Sequence, residues 1–198
     1  MQITYIGMIT VNYKKYENEI LSRVGEKRYE HILRVTQTAK NLATLHKADV
    51  EKAQIAAYFH DSCKLKNKDL IPELCKKLAL DLDHEMIKAP AIIHGFLGAE
   101  MAKQYYGIDD EDILNAIRWH TTGRPGMSKL EKIVYLADYT EPKRDFPSAI
   151  KAREISLKDL DKAMLYALDA SIKNLIEENK YIVIYTINAR NYFLEKNE

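Results

Sequence analysis

The chain has 198 residues, of which 46% are hydrophobic and 30% are charged, and its formal net charge is +1. This composition is typical of a globular protein and excludes a largely disordered chain, while the small net charge excludes a global attraction to nucleic acid or anionic lipid. Any affinity for phosphate must therefore come from local clusters of charge. At this length we predict one domain that spans residues 1–198.

Two features of the sequence predict a cytoplasmic protein. Cys63 and Cys75 are too few for a disulfide framework and do not form a CxxC pair, which is typical of a reducing compartment. The N-terminus shows no basic leader before a long apolar run, and no window approaches the roughly 20 apolar residues of a membrane span. Cys63 is interpreted as a packed residue rather than as a ligand or nucleophile.

From Tyr13 onward the apolar residues recur at helical spacings, and glycine and proline fall between the segments, so the sequence predicts an all-α protein. The predicted helical segments cover residues 13–24, 27–45, 49–61, 67–80 (a short helix and a turn), 81–90 (a second short piece), 91–106, the stretch from the acidic run GIDDEDI to His120, 128–138 and 156–178.

Residues that favour helix ends mark several of these boundaries. Asp49 and Ser128 are predicted N-caps, and Glu131 stands three residues after Ser128, as a capping box requires. Gly25 and Gly107 follow the last apolar residue of their segments and are predicted to end them.

The C-terminal third contains one clear helix and one ambiguous segment. The spacing from Ser156 to Glu178 predicts a long amphipathic helix that buttresses the core, and the preceding EPKRDFP is predicted to be a loop suited to substrate contacts. Residues 181–195 contain a β-branched run that favours a strand, but a lone strand in a helical chain is unfavourable. We therefore predict a helix there.

His60 and Asp61 stand side by side at the end of an apolar helix, and Asp138 ends a second apolar run, IVYLADY. Neutral imidazole followed at once by a carboxylate is a typical start of a metal site. A buried aspartate also needs cations or several hydrogen-bond donors. A structural alternative exists for each residue alone: Asp61 would pair with a lysine such as Lys64, and Asp138 would cap a neighbouring helix.

The positions of the histidines favour the metal hypothesis when they are taken together. Four of the six fall at helix ends or in first turns, although a single histidine on a helix is more often a surface or core group than a ligand. His46 and His84 have charged neighbours and are predicted to be solvated.

The chain resembles the HD superfamily of metal-dependent phosphohydrolases at six positions: His31, His60, Asp61, His94, His120 and Asp138. Within that superfamily, HGFLGAE and WHTTGRPGMSKLEKIVYLADYTEPKRDFP are similar to the symmetrical bis(5′-nucleosyl)-tetraphosphatases of the YqeK type, which split diadenosine tetraphosphate into two ADP. The resemblance covers about residues 29–168, and its second stretch is the specific one. Among neighbouring subfamilies, hydrolases of guanosine tetraphosphate usually have an acidic pair shortly after the HD, deoxynucleotide triphosphohydrolases carry a further histidine soon after theirs, and HD-GYP cyclic-dinucleotide enzymes have a GYP signature. None of these three features is present in the sequence.

The resemblance implies an all-α, HD-type helical bundle, with a metal-site core at about 29–140 and buttress helices at about 156–195. It implies a site for two metal ions in which Asp61 bridges, His31, His60 and Asp138 complete the first set of ligands, and His94 and His120 form the second. A hydroxide shared by the ions is then expected to attack phosphorus, which makes Asp61 a catalytic residue. The family suggests iron, with manganese or cobalt as alternatives, because imidazole-rich sites suit these metals better than magnesium.

Basic and hydroxyl residues near the expected ligands are interpreted as substrate contacts. Lys64 lies one helical turn after His60 and is predicted to meet a phosphate oxygen during catalysis, while Arg124 and Arg144 lie on flexible segments and are predicted to clamp phosphates. Thr121, in the run TTG, is predicted to shape the rim of the pocket. For each basic residue the alternative is a solvated side chain.

Two further roles stay undecided at the level of sequence. Glu141 is a candidate to orient either Arg144 or a metal-bound water. Tyr139 and Phe146 are candidates to stack on a nucleobase, with core packing as the favoured alternative.

The predicted function is the symmetrical hydrolysis of diadenosine tetraphosphate, with a small-molecule dinucleoside polyphosphate as partner and an ADP-type or GDP-type product. A broader nucleotide phosphohydrolase is an alternative, because a two-metal site fixes the reaction class better than the substrate. A nucleotide-sensing module without turnover is a third hypothesis, which the complete ligand set disfavours. No basic stripe indicates nucleic-acid binding and no segment indicates a membrane partner. The oligomeric state is open, with a homodimer as one option.

Overall fold

The computed structural model describes residues 13–196, and all regular elements in that range are helices, which confirms the predicted all-α class. The α-helices in chain order are α1 (Glu17–Val24), α2 (Glu26–Leu45), α3 (Val50–Phe59), α4 (Ile71–Lys77), α5 (His84–Lys88), α6 (Ile93–Tyr106), α7 (Glu111–Arg118), α8 (Lys129–Thr140), α9 (Pro147–Ser156), α10 (Leu160–Glu177) and α11 (Ile184–Lys196). Short 3₁₀ turns lie at Tyr13–Tyr16, Lys68–Leu70 and Pro90–Ile92. Residues 1–12, on which the expectation about a leader depends, lie outside the described range. Within it, no helix combines the length and the apolar character that crossing a bilayer demands.

Helix α3 is the centre of the fold and is covered on nearly all sides. It packs against α2, α7 and α8, and also contacts α6. Its last five residues are all buried, and Ala56 and Ala57 lack the bulk that would keep neighbouring helices apart. A helical segment that is apolar and buried on every side, as the second half of α3 is, is typical of a core position. The chain therefore delivers His60 and Asp61, which directly follow α3, into the interior of the bundle.

The predicted caps are confirmed and fix the ends of the site-bearing helices. The Asp49 carboxylate accepts a hydrogen bond from the Lys52 backbone N–H at 3.0 Å and begins α3. At α8, Ser128 Oγ accepts from the Glu131 N–H at 3.1 Å, and the Ser128 N–H donates to the Glu131 carboxylate at 2.7 Å. Gly107 adopts the left-handed conformation, with φ of 68°, and ends α6. Each such cap stabilises its helix by about 1 kcal/mol.

The prediction of one long helix over residues 156–178 is wrong at its N-terminal end. Ser156 ends α9, and α10 begins at Leu160, where the Asp159 carboxylate accepts hydrogen bonds from two backbone N–H groups at 2.9 and 3.1 Å. Helix α9 itself was not predicted. It begins at Pro147, whose fixed φ suits the first helical position although a proline in sequence also indicates a loop.

The ambiguous segment near the C-terminus is helical, which confirms the choice of a helix over a strand. In α11 the buried residues are Thr186, Ala189 and Phe193, whose spacings of three and four place them on one face. That face packs against α10. Helix α10 in turn contacts α8, so the C-terminal helices support the helix that carries Asp138.

Gly95 allows α6 to approach α7 closely, and we expect Gly95→Ala to lower the free energy of unfolding by about 2 kcal/mol, as overpacking of a tight contact does. A Cβ at this position would lie 2.7 Å from the carbonyl oxygen of Arg118 and 3.3 Å from that of Ile117. Denaturant unfolding measures the effect, with Lys103→Ala on the exposed face of α6 as the control. An unfolding midpoint equal to that of the wild type would contradict the close packing.

Candidate metal centre

Six polar side chains from separate parts of the chain converge in the interior, and they are the six that the sequence analysis singles out. Their positions are His31 on α2, His60 and Asp61 directly after α3, His94 on α6, His120 in the turn after α7, and Asp138 on α8. All are buried except Asp138, which is partly buried. The helix boundaries differ slightly from prediction, since α7 ends at Arg118 and α8 continues to Thr140.

The Asp61 carboxylate lies at the middle of the cluster and faces two pairs of histidines. Its Oδ2 lies 3.7 Å from His31 Nε2 and 3.5 Å from His60 Nε2. Its Oδ1 lies 3.1 Å from His94 Nε2 and 3.7 Å from His120 Nε2. One carboxylate thus offers a different oxygen to each pair, which is the arrangement that a ligand shared by two cations requires.

Asp138 joins only the first of these pairs. Its Oδ1 lies 2.9 Å from His31 Nε2 and 4.0 Å from His60 Nε2. The candidate ligand atoms of His31, His60 and Asp138 all lie within 4.8 Å of one another, as do those of His60, Asp61 and His120. The cluster therefore has a first half (His31, His60, Asp138) and a second half (His94, His120), with Asp61 between them.

Hydrogen bonds at the far side of each imidazole direct the four Nε2 atoms towards the cluster. The Nδ1–H groups of His60, His94 and His120 donate to backbone carbonyls three residues earlier, at 2.6, 2.6 and 2.7 Å. The Nδ1–H of His31 donates to the Glu141 carboxylate at 3.2 Å. Because each Nδ1 carries the proton in this pattern, each Nε2 keeps a lone pair for a cation.

Several acceptor atoms of the cluster lack a hydrogen-bond donor. His94 Nε2 and His120 Nε2 lie 3.0 Å apart, and two lone pairs at that distance repel unless a cation or a proton lies between them. His31 Nε2, His60 Nε2 and Asp61 Oδ1 are buried and find no hydrogen-bond partner in the described part of the chain. Unsatisfied buried acceptors are costly. Imidazole and carboxylate donors in this number fit first-row transition metals.

The electrostatic surroundings keep Asp61 and Asp138 ionised and His120 neutral, whereas they favour the protonated form of His60, which must lose that proton to bind a metal. Burial opposes ionisation of Asp61, yet His60, His120 and His94 hold the pKa of its carboxyl well below the ordinary value. Burial also opposes ionisation of Asp138, but the close approach of His31 and the nearby His60 lower its pKa. Burial lowers the pKa of His120 to about 4, so this imidazole is neutral at pH 7. For His60, the nearby Asp61 outweighs burial and raises the pKa.

Glu141 forms a second layer behind His31, a role that differs from both of the roles considered from sequence. Its carboxylate is buried, accepts from His31, and accepts from Arg34 Nε at 2.7 Å and from the Lys143 backbone N–H at 2.9 Å. The Arg34 interaction outweighs burial and keeps the pKa of Glu141 below its ordinary value. Glu141 is thus a positioning residue for His31, and it leaves the Arg144 side chain to contact Asp138.

We expect Glu141→Gln to weaken metal binding about 10-fold to 100-fold, because the carboxylate behind a histidine ligand fixes the ring and raises its basicity. Metal titration of the apo-protein measures this. Glu30→Gln is the matched control, since Glu30 also contacts Arg34 and Lys143, each at 3.7 Å, but is exposed and does not touch His31. Equal metal affinities of the two variants would contradict the assigned role.

Three basic side chains surround the mouth of the cluster. Lys64 Nζ lies 3.6 Å from Asp61 Oδ1, and Arg144 Nη2 donates to Asp138 Oδ1 at 3.2 Å, so both side chains lie beside the cluster, and their contact with phosphate stays a prediction. Arg28, which was not predicted from the sequence, is the third, and its Nη1 donates to Asp61 Oδ2 at 2.9 Å. Arg28 lies three residues before His31, so both residues lie on the same face of α2, and this spacing could have identified Arg28 from the sequence.

Of the other two predicted substrate contacts, Thr121 lies at the cluster and Arg124 lies away from it. Thr121 Oγ1 lies 3.3 Å from His94 Nε2 and 3.1 Å from His120 Nε2 at an exposed position, as expected for a rim residue. Arg124 instead donates both arms of its guanidinium to the buried Glu131, at 2.7 and 2.9 Å. This pair reinforces the start of α8, and Arg124 makes no contact with the six cluster residues.

Cys63 and the two remaining histidines have structural explanations. Cys63 is fully buried against Met101, and burial raises the pKa of its thiol to about 11, so it is protonated at neutral pH and packs as the sequence analysis interprets it. His84 is exposed as predicted. His46 is half-buried, and its Nε2 lies 2.7 Å from the carbonyl oxygen of Ser156, which corrects the prediction of a solvated side chain.

Comparison with protein families finds that the HD domain model matches residues 28–143, a stretch that contains all six cluster residues. The chain is 41% identical to the symmetrical bis(5′-nucleosyl)-tetraphosphatase of Halalkalibacterium halodurans over 169 residues, which cover 85% of this chain and 90% of that protein. It is 36% identical to the enzyme of the same name from Bacillus subtilis, with 88% of this chain and 94% of the relative covered. It is 33% identical to the enzyme of the same name from Staphylococcus aureus, with 92% of this chain and 95% of the relative covered.

A solved structure shares the fold closely. The crystal structure of an HD superfamily hydrolase from Clostridium acetobutylicum, described as involved in NAD metabolism, superposes with a TM-score of 0.88 at 43% identity. The match covers 93% of this chain and 98% of that one. The similarity therefore extends beyond the cluster to the C-terminal helices.

Proposed function

The chain belongs to the HD domain family, and from that premise we propose that it hydrolyses dinucleoside tetraphosphates symmetrically, splitting diadenosine tetraphosphate into two ADP. Relatives at 33–41% identity over most of the chain carry the name of this activity. The observation that carries the proposal is the Asp61 carboxylate, whose two oxygens face different histidine pairs. This geometry suits a phosphohydrolase that binds two cations.

The metal ions expected here are transition metals, and we propose iron, with manganese or cobalt as alternatives. His31, His60 and Asp138 would hold one ion, His94 and His120 the other, and Asp61 would serve both. Bound ions of this kind polarise phosphate oxygens and turn water into a nucleophile near neutral pH. The buried and pre-oriented Nε2 atoms support this assignment.

The protein side chains supply the remaining charge that the reaction needs. Cleavage of the central anhydride leaves negative charge on a departing nucleoside diphosphate, so neutralisation of charge matters more than a strong general acid. We assign this role to Lys64, Arg28 and Arg144, whose cationic groups lie within 3.6 Å of cluster carboxylates. Thr121 lies beside His94 and His120, where its hydroxyl can orient a phosphate oxygen.

The test is to incubate iron-loaded or manganese-loaded protein with diadenosine tetraphosphate and to separate the products by anion exchange. We expect ADP alone. A mixture of ATP and AMP would show cleavage at the wrong anhydride and would overturn symmetrical hydrolysis. Binding of the nucleotide without turnover would favour the sensing module, and faster turnover of ordinary nucleoside triphosphates would favour the broader phosphohydrolase.

A further inference from the structure

Two cavities of different chemistry open beside the metal centre and share Arg144. The first, of about 710 Å³, is called the basic cavity, and its cationic wall consists of Lys27, Arg28, Arg34, Lys66, Lys143 and Arg144. The second, of about 1040 Å³, is called the aromatic cavity, and its rings are Tyr139, Phe146 and Tyr166. Both volumes are in the range of small-molecule sites.

The cationic groups of the basic cavity exceed the acidic groups available to them. Lys27 and Lys66 are exposed and form no ion pair within the described part of the chain, and Lys143 is 67% exposed with only Glu30 nearby, at 3.7 Å. The described wall contains two acids against six cations: the buried Glu141 already accepts from Arg34 Nε at 2.7 Å, and Glu26 is exposed. Such a surplus of unpaired cations in a concave surface attracts a polyanion.

The Lys66 side chain reaches this cavity because Gly25, which has no side chain, leaves room for it. Gly25 adopts φ of 85° between α1 and α2, and the aliphatic part of the Lys66 side chain lies where a side chain at Gly25 would be. The Lys66 ammonium comes within 3.2 Å of that same point. It therefore lies at the start of α2, where the helix dipole adds to the positive potential.

The basic cavity borders the first half of the metal centre, and the aromatic cavity reaches the second half through Thr121 and the first half through Arg144. In the basic cavity, Arg28 reaches Asp61 at 2.9 Å and His31 forms part of the wall. In the aromatic cavity, Thr121 forms part of the wall and contacts His94 and His120. A ligand that extends from one cavity to the other passes Arg144, which lines both cavities and donates to Asp138 Oδ1 at 3.2 Å.

The aromatic cavity has the features of a nucleoside site. Phe146 is 38% exposed and packs edge-on against Tyr139, with 5.7 Å between ring centroids, so one face of an aromatic ring remains open. A flat heterocycle would bury this apolar surface by stacking. The one aromatic ring among the described wall residues of the basic cavity is the buried imidazole of His31 in the metal centre, so this cavity presents no exposed ring on which a base could stack in this way.

We infer that the two equal halves of the substrate bind to unlike cavities: one nucleoside stacks in the aromatic cavity, while the phosphates of the other half lie in the basic cavity. This inference rests on the proposed function and deepens it. Its consequence is that the second nucleoside is dispensable. The protein then also hydrolyses mononucleoside tetraphosphates: water adds to one of the two central phosphorus atoms, the anhydride between them breaks, and adenosine 5′-tetraphosphate yields ADP and pyrophosphate.

The first experiment compares diadenosine tetraphosphate with adenosine 5′-tetraphosphate as substrates of the metal-loaded wild-type protein. We expect kcat/KM values within about tenfold of each other, and ADP with pyrophosphate as the products of the second substrate. Turnover of the dinucleotide alone would overturn the inference and leave the proposed function intact. Turnover of neither would overturn the proposed function and the inference with it.

The second experiment separates the two cavities by substitution. Lys66→Gln and Lys143→Gln are expected to raise KM for both substrates about fivefold to tenfold with little change in kcat. Phe146→Ala is also expected to raise KM for both substrates, because it removes the ring on which the nucleoside stacks. Lys151→Gln, at an exposed lysine on α9, is the control. Because the lysines are exposed, the variants should fold, and their thermal midpoints verify this.

A binding measurement gives a readout that does not depend on turnover. Calorimetric titration of inorganic triphosphate into the protein is expected to show binding that Lys66→Gln weakens by about fivefold to tenfold, that added salt weakens further, and that Phe146→Ala leaves unchanged. If triphosphate binds equally to wild type and Lys66→Gln, or loses affinity in Phe146→Ala, the assignment of phosphates to the basic cavity is wrong.

Discussion

Asp61→Ala is expected to remove metal from both halves of the centre and to lower the hydrolysis of diadenosine tetraphosphate by at least about 1,000-fold. The reason is geometric: Asp61 is the residue whose Oδ2 faces His31 and His60 and whose Oδ1 faces His94. Without it, each half retains mainly neutral imidazoles, and the second half loses its carboxylate entirely. Elemental analysis of the purified variant and a rate measurement on the same sample test both parts.

Two controls make this result specific to the shared carboxylate. Asp145→Ala removes an exposed aspartate close in sequence to the site and should retain both metal and activity. Asp61→Asn keeps the side-chain shape but presents an NH₂ group to one half, so it should hold at most about one ion per chain. If Asp61→Ala still binds two ions, Asp61 is not the shared ligand.

The second large expected effect is that substitutions in the two halves of the metal centre remove different metal ions. His31→Ala and His120→Ala are each expected to remove about one ion per chain, to leave the other, and to lower the rate by at least about 100-fold. His31 lies 2.9 Å from Asp138 in the first half, while His120 lies 3.0 Å from His94 in the second. Each substitution therefore removes a ligand from one half only.

The measurement is metal content per chain during titration of the apo-proteins, followed by activity at saturating metal. His84→Ala, at an exposed histidine, should bind as much metal as the wild type. Loss of both ions in either cluster variant would indicate a single cooperative site, and loss of neither would exclude that histidine as a ligand.

The helices and their caps could be predicted because the signals for them are local. Asp49, Ser128 and Glu131 bond to backbone groups within three residues, so the sequence contains both partners side by side. Helix α9 was missed for the opposite reason. Pro147 begins a helix as readily as it interrupts one, and the choice depends on packing against α8 and α10.

The cluster residues could be identified, but their partners could not. The six positions follow from a resemblance and from the spacing of histidines and aspartates along the chain. The contact of Glu141 with His31 joins residues 110 positions apart, and that of Arg28 with Asp61 joins residues 33 apart. Such contacts depend on how α2 packs against α8 and on where α3 ends, and helical periodicity contains no information about either. The same limit explains why Arg124, next to the site in sequence, is bonded to Glu131.

The most direct test of symmetrical hydrolysis is to incubate diadenosine tetraphosphate with metal-loaded protein in water enriched in oxygen-18 and to locate the label by mass spectrometry. Attack of water on one of the two central phosphorus atoms predicts ADP as the product, with half of the molecules carrying one labelled oxygen on the β-phosphate and half carrying none. Label on an α-phosphate, or labelled AMP accompanied by ATP, would contradict symmetrical cleavage.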